Sequence, residues 1–161
     1  MHTADPVHKE SIGQKSFGNS ENLTFETDIH TTLKHSNATQ NIYFSNYFEW
    51  QGMCRERWFF ERISPDMLQD QGVFITKSAH NDYIKEAFPF QTITCRMNAS
   101  EIKKCSFKLL FRFYIEDEMA SEGYQTIVFA NHEKRITKLP ASVIERVKQY
   151  ELPTQLAKYT D

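Results

Sequence analysis

From Ser45 to Ile63 apolar side chains recur every three or four residues, with no proline and one glycine, a spacing that predicts one long helix. At the usual rise it would run about 28 Å, enough to cross a small domain. Pro65 ends it, because its ring forces Ser64 out of helical geometry. Tyr47, Trp50, Cys54 and Trp58 fall on one side and Phe44, Phe48 and Phe59 on another, so the expected helix is buried over most of its girth.

The remaining pattern is largely strand. Residues 23–33 alternate, with Leu23, Phe25, Ile29 and Leu33 on one face and Glu26, Asp28 and His30 on the other. A second strand is expected over 73–84, with Val73, Ile75 and Tyr83 in phase around a polar centre, 77–82. A third spans 90–98, where Ile93, Cys95 and Met97 share a face, followed by a polar turn, 98–104. The strongest alternation is in 105–115, with Phe107, Leu109, Phe111, Phe113 and Ile115 set against Ser106, Lys108, Arg112 and Tyr114. An acidic connector, 116–123, leads to a fifth strand over 124–132, and a short amphipathic helix over 142–150 follows Pro140. A strongly curved antiparallel five-stranded sheet wrapping one central helix, an α+β architecture, is the arrangement that would bury that helix.

Composition refines this picture. A chain of 161 residues fits one domain, 22–152, flanked by polar tails at 1–21 and 153–161, the first expected to be disordered. The net charge of −2 and the lack of a basic cluster give no footprint for nucleic acid. No run is long and apolar enough to span a membrane, and the start carries no signal pattern, so a cytoplasmic protein is expected. Three cysteines without a CxxC and six scattered histidines suggest neither a disulfide framework nor a metal site, and no cofactor motif is present. Aromatic residues reach 14%, with thirteen Phe, more than a core of this size commonly holds.

Some polar residues stand among the apolar ones. Gln51, Arg55 and Glu56 lie on or beside the apolar helix faces, and an enclosed Arg55 must meet an anion or carbonyl oxygens. That partner is either structural, such as Glu49 or Glu56, or a ligand. Asn37, in the loop before the helix, is either a turn former or a polar group at the helix mouth. Ser78 and His80 on the second strand are either a solvated face or part of a site.

The run Asn37-x-x-x-Asn41-Ile42-Tyr43-Phe44-x-x-Tyr47-x-x-Trp50-Gln51-Gly52-x-Cys54-Arg55-Glu56 resembles the signature of enediyne-type polyketide thioesterases, members of the hotdog-fold superfamily. Tyr83-x-x-Glu86 and Glu122-Gly123-x-Gln125 continue the likeness, which covers about residues 23–147. The resemblance implies a homo-oligomer, a dimer or tetramer with its site at the subunit interface. It also implies an acyl thioester substrate carried by the acyl carrier protein domain of a polyketide synthase. The group's functional residues carry over to Asn37, Tyr47 and Arg55, and Tyr43, Phe48 and Trp50 become candidate walls of an acyl tunnel, or plain core. Where other superfamily members carry a loop Asp or a helix Glu, this chain has Asn37 and Gly52, so the implied thioesterase lacks the usual carboxylate. Asn37 and Arg55 would then hold a thioester carbonyl or β-keto oxygen, with Tyr47 orienting them or the water. A general acyl-CoA thioesterase, with Lys103, Lys104, Lys134 and Arg135 near the tunnel mouth, and a non-catalytic acyl-binding protein are the alternatives.

Overall fold

The structure, a computed structural model, describes residues 22–66 and 72–152; the two expected tails lie outside the described residues. Five strands, β1 (Phe25–His30), β2 (Val73–Tyr83), β3 (Thr92–Ser100), β4 (Ser106–Ile115) and β5 (Glu118–Ala130), form one antiparallel sheet in the order β1-β3-β4-β5-β2. The helix α1 (Asn46–Trp58) lies across its inner face, extended by a π turn over Phe59–Ile63. A shorter helix, α2 (Ala141–Lys148), closes one end of the core. The fold is α+β, a five-stranded antiparallel sheet with a long central helix.

The helix buries a single stripe, Tyr47, Trp50, Gln51, Cys54 and Trp58, at the spacing that puts residues on one face. Expected burial over most of its girth is corrected here: Phe44, Phe48, Met53 and Phe60 are exposed in the single chain. The sheet covers only the side it touches. Facing the stripe are Ile93, Cys95 and Met97 of β3, Phe107, Leu109, Phe111 and Phe113 of β4, and Ile127 and Phe129 of β5, all buried. Cys54 and Cys95 are free and buried there, and burial pushes the Cys95 thiol well up, so it acts as a small neutral core residue.

Three local expectations need correction. Leu33 begins a 3-10 turn, Leu33–His35, and is exposed, because β1 ends at His30 where Thr31 turns to bond the 88–91 loop. The acidic connector is only two residues long: Glu116 and Asp117 both take positive φ, 48° and 66°, as a tight hairpin requires, and Glu118 and Glu122 already belong to β5. Their acidity marks an exposed strand face, with Glu122 opposite Arg112 and Glu118 paired with Lys85. In β2 the pairing with β5 slips between Thr76 and Ser78. That extra residue reverses the strand's phase, so Phe74 packs on Phe59, ring centroids 4.3 Å apart, whereas Val73 and Ile75 are exposed and Tyr83 reaches Tyr47.

Pro65 does stop the helix, with Ser64 extended at φ −162° and its N–H bonded to the Phe59 carbonyl at 2.9 Å. The wide turn exposes the Ile63 carbonyl, which accepts from Arg146 of α2. Tyr150, just past α2, meets Trp58 edge to face at 5.4 Å.

Candidate active site

The 37–43 loop is cross-braced by its own hydrogen bonds. Asn37 Oδ1 accepts from the Thr39 N–H at 3.0 Å and lies 2.6 Å from its hydroxyl, and the Asn37 N–H donates to the Asn41 carbonyl at 3.1 Å. Gln40 takes φ 66° to close the loop, and Asn46 Nδ2 donates to the His35 and Tyr43 carbonyls at 2.8 and 3.1 Å, tying it to the first turn of α1. The Asn37 oxygen thus forms the turn, while its Nδ2 donates to nothing among the described residues.

Asn37 shares a cavity of about 340 Å³ with Tyr43, Tyr47, Tyr83 and Glu86. The Tyr47 ring is held edge-on by Trp50, Tyr83 and Phe113 at 5.1–5.5 Å. Burial, and secondarily the neighbouring Tyr83, pushes its hydroxyl up to about 12. Tyr47 therefore remains a neutral hydrogen-bonding group throughout the neutral range and is no base. Glu86 was not singled out as a site residue from sequence; it accepts from Asn41 Nδ2 at 3.2 Å.

Arg55 is elsewhere. It lies two turns further along α1, about 12 Å at the helical rise, on the rim of a second cavity of about 510 Å³ walled by Phe59, Phe60, Val73 and Phe74. Within one chain the structure thus brings Tyr47 and Tyr43 to Asn37, and does not bring Arg55 to them. Trp50 is buried between His35 and Tyr47 and lines neither cavity, and Phe48 faces outward from α1. His80 is on the sheet's other face, stacked on Tyr124 at 5.2 Å with Nε2 3.0 Å from Asp82. Its backbone, not its ring, reaches the helix.

Burial lowers the Arg55 pKa, opposed by Glu56, but a guanidinium stays charged. Nη1 donates to Thr76 Oγ1 and to Gln125 Oε1, the latter at 2.8 Å, whereas Nε and Nη2 donate to nothing among the described residues. Behind it lie buried polar side chains that the sequence reading left without a role: Gln125, Asn81 and Ser121, together with Gln51. A signal was present, since Gln51 falls on the buried stripe with Tyr47 and Cys54, and Gln125 is in phase with Ile127 and Phe129.

Gly123 makes that layer possible. A Cβ there would lie 2.1 Å from the His80 carbonyl oxygen, 2.6 Å from Gln51 Nε2 and 2.9 Å from Asn81 Oδ1. Gly123→Ala should therefore cost about 1–3 kcal/mol as an overpacked site, read as a lowered urea midpoint. At Gly52, by contrast, a Cβ would meet nothing within 4 Å. Among the described residues no group of His, Cys, Asp and Glu could hold a metal ion.

The thioesterase-like superfamily model matches residues 27–147, most of the chain. The chain belongs to that superfamily. Its reaction class is thioester hydrolysis. Among solved structures it is similar to the dynemicin thioesterase, described with a bound polyene (TM-score 0.74, 20% identity, 81% of this chain and 99% of that one). It is also similar to a Staphylococcus aureus protein in complex with CoA (0.76, 16%, 87% and 96%) and to a 1,4-dihydroxy-2-naphthoyl-CoA thioesterase from Synechocystis (0.69, 11%, 78% and 96%). No curated protein matches the chain. No helix among the described residues is long and apolar enough to cross a membrane.

Proposed function

We propose that this thioesterase releases β-ketoacyl or polyene chains from the acyl carrier protein domain of a polyketide synthase, as an enediyne-type enzyme, by stabilising the oxyanion without a carboxylate nucleophile. The observation that carries this reading is Arg55: a cation at the rim of an apolar chamber, one nitrogen tied down and its Nε and Nη2 uncommitted. Those two nitrogens form the edge of a guanidinium that grips two oxygens at once. A β-ketoacyl thioester offers two, its keto and thioester carbonyls, and the keto group makes the carbon more electrophilic. Water adds to that carbon, negative charge collects on the carbonyl oxygen beside Arg55 and the Asn37 amide, and collapse expels the carrier thiolate. The proton that the water gives up on adding passes to the leaving thiolate, so the products are the free carrier thiol and a β-keto acid, which can lose CO2. Tyr47 donates from a neutral hydroxyl throughout.

Asn37 and Arg55 act on one carbonyl only if two chains combine. Among the described residues β2 is an unpaired edge, and exposed Phe48, Met53 and Phe60 lie on the uncovered side of α1. Antiparallel pairing of β2 with a two-fold copy sets its Val73 end beside the partner's Tyr83. The Arg55 chamber of one chain then adjoins the partner's Asn37 and the partner's Tyr47. The site is therefore a homo-oligomer's, completed across its interface.

A second reading has its own support. Val73, a wall of the chamber, pairs with Ala130, next to the 131–135 turn that carries Lys134 and Arg135, and the Staphylococcus relative holds CoA. These cations would suit the phosphates of an acyl-CoA. Turnover of matched acyl groups on carrier protein and on CoA distinguishes the two: the polyketide reading expects faster release of β-ketoacyl chains from carrier protein. Equal or faster turnover of plain acyl-CoA would replace it with the second. Acyl binding with no hydrolysis would sink both.

A further inference from the structure

We infer that Gln125 and Gln51 are positioning residues for Arg55, members of a buried one-way hydrogen-bond relay that holds the free edge of its guanidinium toward the substrate. Gln125 Oε1 accepts from Arg55 Nη1 at 2.8 Å, and Gln125 Nε2 donates to Gln51 Oε1 at 3.3 Å. Gln51 Nε2 donates to the His80 carbonyl at 3.0 Å and to Asn81 Oδ1 at 3.2 Å. Asn81 Nδ2 donates to Ser121 Oγ at 2.6 Å, and Ser121 gives its own proton to the Asp82 carbonyl at 3.0 Å.

The direction of every bond is fixed by the two ends. A guanidinium can only donate, so Gln125 must turn its oxygen to it and its NH2 away. Main-chain carbonyls can only accept, so Gln51 and Ser121 must turn their donors to the β2 backbone. Reversing one amide would set donor against donor or acceptor against acceptor along the relay. Gln51, Gln125, Asn81 and Ser121 are at most 8% exposed, where a lost partner costs about 1–3 kcal/mol. So costly an error holds each amide in one orientation, and the last oxygen in the relay is the one that meets Arg55.

The relay also spans the elements that must agree. Gln51 and Arg55 are one turn apart on α1, Asn81 and Thr76 lie on opposite sides of the β2 register slip, and Ser121 and Gln125 are on β5. With Thr76 and Gln125 taking Nη1, rotation about the end of the Arg55 side chain is blocked and Nε and Nη2 keep one aim. Gly123, between Ser121 and Gln125, supplies the clearance where Gln51, Asn81 and the His80 carbonyl converge. A merely structural network would need no member facing a cavity; this one ends on Arg55 at the chamber rim.

This inference rests on the proposed role of Arg55, and its test separates the two. Gln125→Met keeps the length of the side chain and removes the acceptor; Gln125→Glu keeps an acceptor at that place. Each is made alone and in an Arg55→Ala background, and kcat, KM and the thermal midpoint are followed with a β-ketoacyl and a saturated acyl thioester. Gln125→Met should lower kcat for the β-ketoacyl substrate roughly 10–100-fold, the scale of a small misplacement, and the saturated substrate less. It should have no further effect on rate in the Arg55→Ala background, and Gln125→Glu should retain more activity than Gln125→Met. Losses that multiply in the double variant, or that merely follow the thermal midpoint, would overturn the relay. If wild type hydrolyses no thioester, the reading of Arg55 as catalytic fails by itself. The same cycle is then read from binding of a medium-chain carboxylate, where Gln125→Met must weaken binding only when Arg55 is present, or the relay fails too.

Discussion

Arg55→Ala should slow thioester hydrolysis about 10²–10³-fold, the usual cost of one oxyanion donor, with most of the loss in kcat. The reason is geometric. Thr76 and Gln125 hold only Nη1, so the side chain contributes to the fold through one nitrogen, and Arg55 lines the chamber with the others unpaired among the described residues. Its removal leaves Gln125 Oε1 without its donor, a stability loss of about 1–3 kcal/mol. Arg55→Lys should restore little, because an ammonium is a point charge and cannot offer two parallel N–H groups to a keto and a thioester oxygen. Single-turnover rates with saturating enzyme separate this from weaker binding. A variant that raised KM alone and left kcat intact would make Arg55 a binding anchor.

The largest stability effect should come from Trp58→Ala, about 3–5 kcal/mol for a fully buried indole. Trp58 is 1% exposed and meets Phe59, Phe107 and Tyr150 at 5.0–6.4 Å, so it joins α1, the sheet and the segment after α2. Its Nε1 is buried with no hydrogen-bond partner among the described residues. Trp58→Phe should accordingly cost far less than its lost volume suggests, since it also removes an unpaired donor worth about 1–3 kcal/mol. Urea unfolding of both variants is the check. A Trp58→Phe loss as large as its missing volume predicts would mean that the indole N–H is satisfied in solution.

The helix and the inward faces of β3 and β4 were legible because apolar spacing alone specifies them, as at Trp50, Cys54 and Trp58 or at Phe107 through Phe113. The β2 phase was not, since one inserted residue between Thr76 and Ser78 reverses every later side chain without disturbing the composition. The 116–117 hairpin was missed because it uses Glu and Asp, not Gly, at positive φ. At the site, the motif from Asn37 to Arg55 was plain as a run of residues. Its division between two cavities was not, because residues eight apart on a helix share a face and still lie a dozen ångströms apart. Gln51 and Gln125 each looked like a lone polar residue on a buried face; only the packing of α1 on β5 makes them partners.

The most direct measurement is complementation between two disabled chains. Asn37→Ala and Arg55→Ala would be co-expressed with different tags, mixed oligomers isolated, and hydrolysis of the β-ketoacyl thioester followed. In a mixed dimer one of the two interface sites recovers both an intact Asn37 and an intact Arg55, and the other loses both. A site shared between chains predicts activity well above either parent, about half of wild type in the pure mixed dimer. Activity no greater than that of the two parents would place Asn37 and Arg55 in separate sites and contradict the shared oxyanion hole.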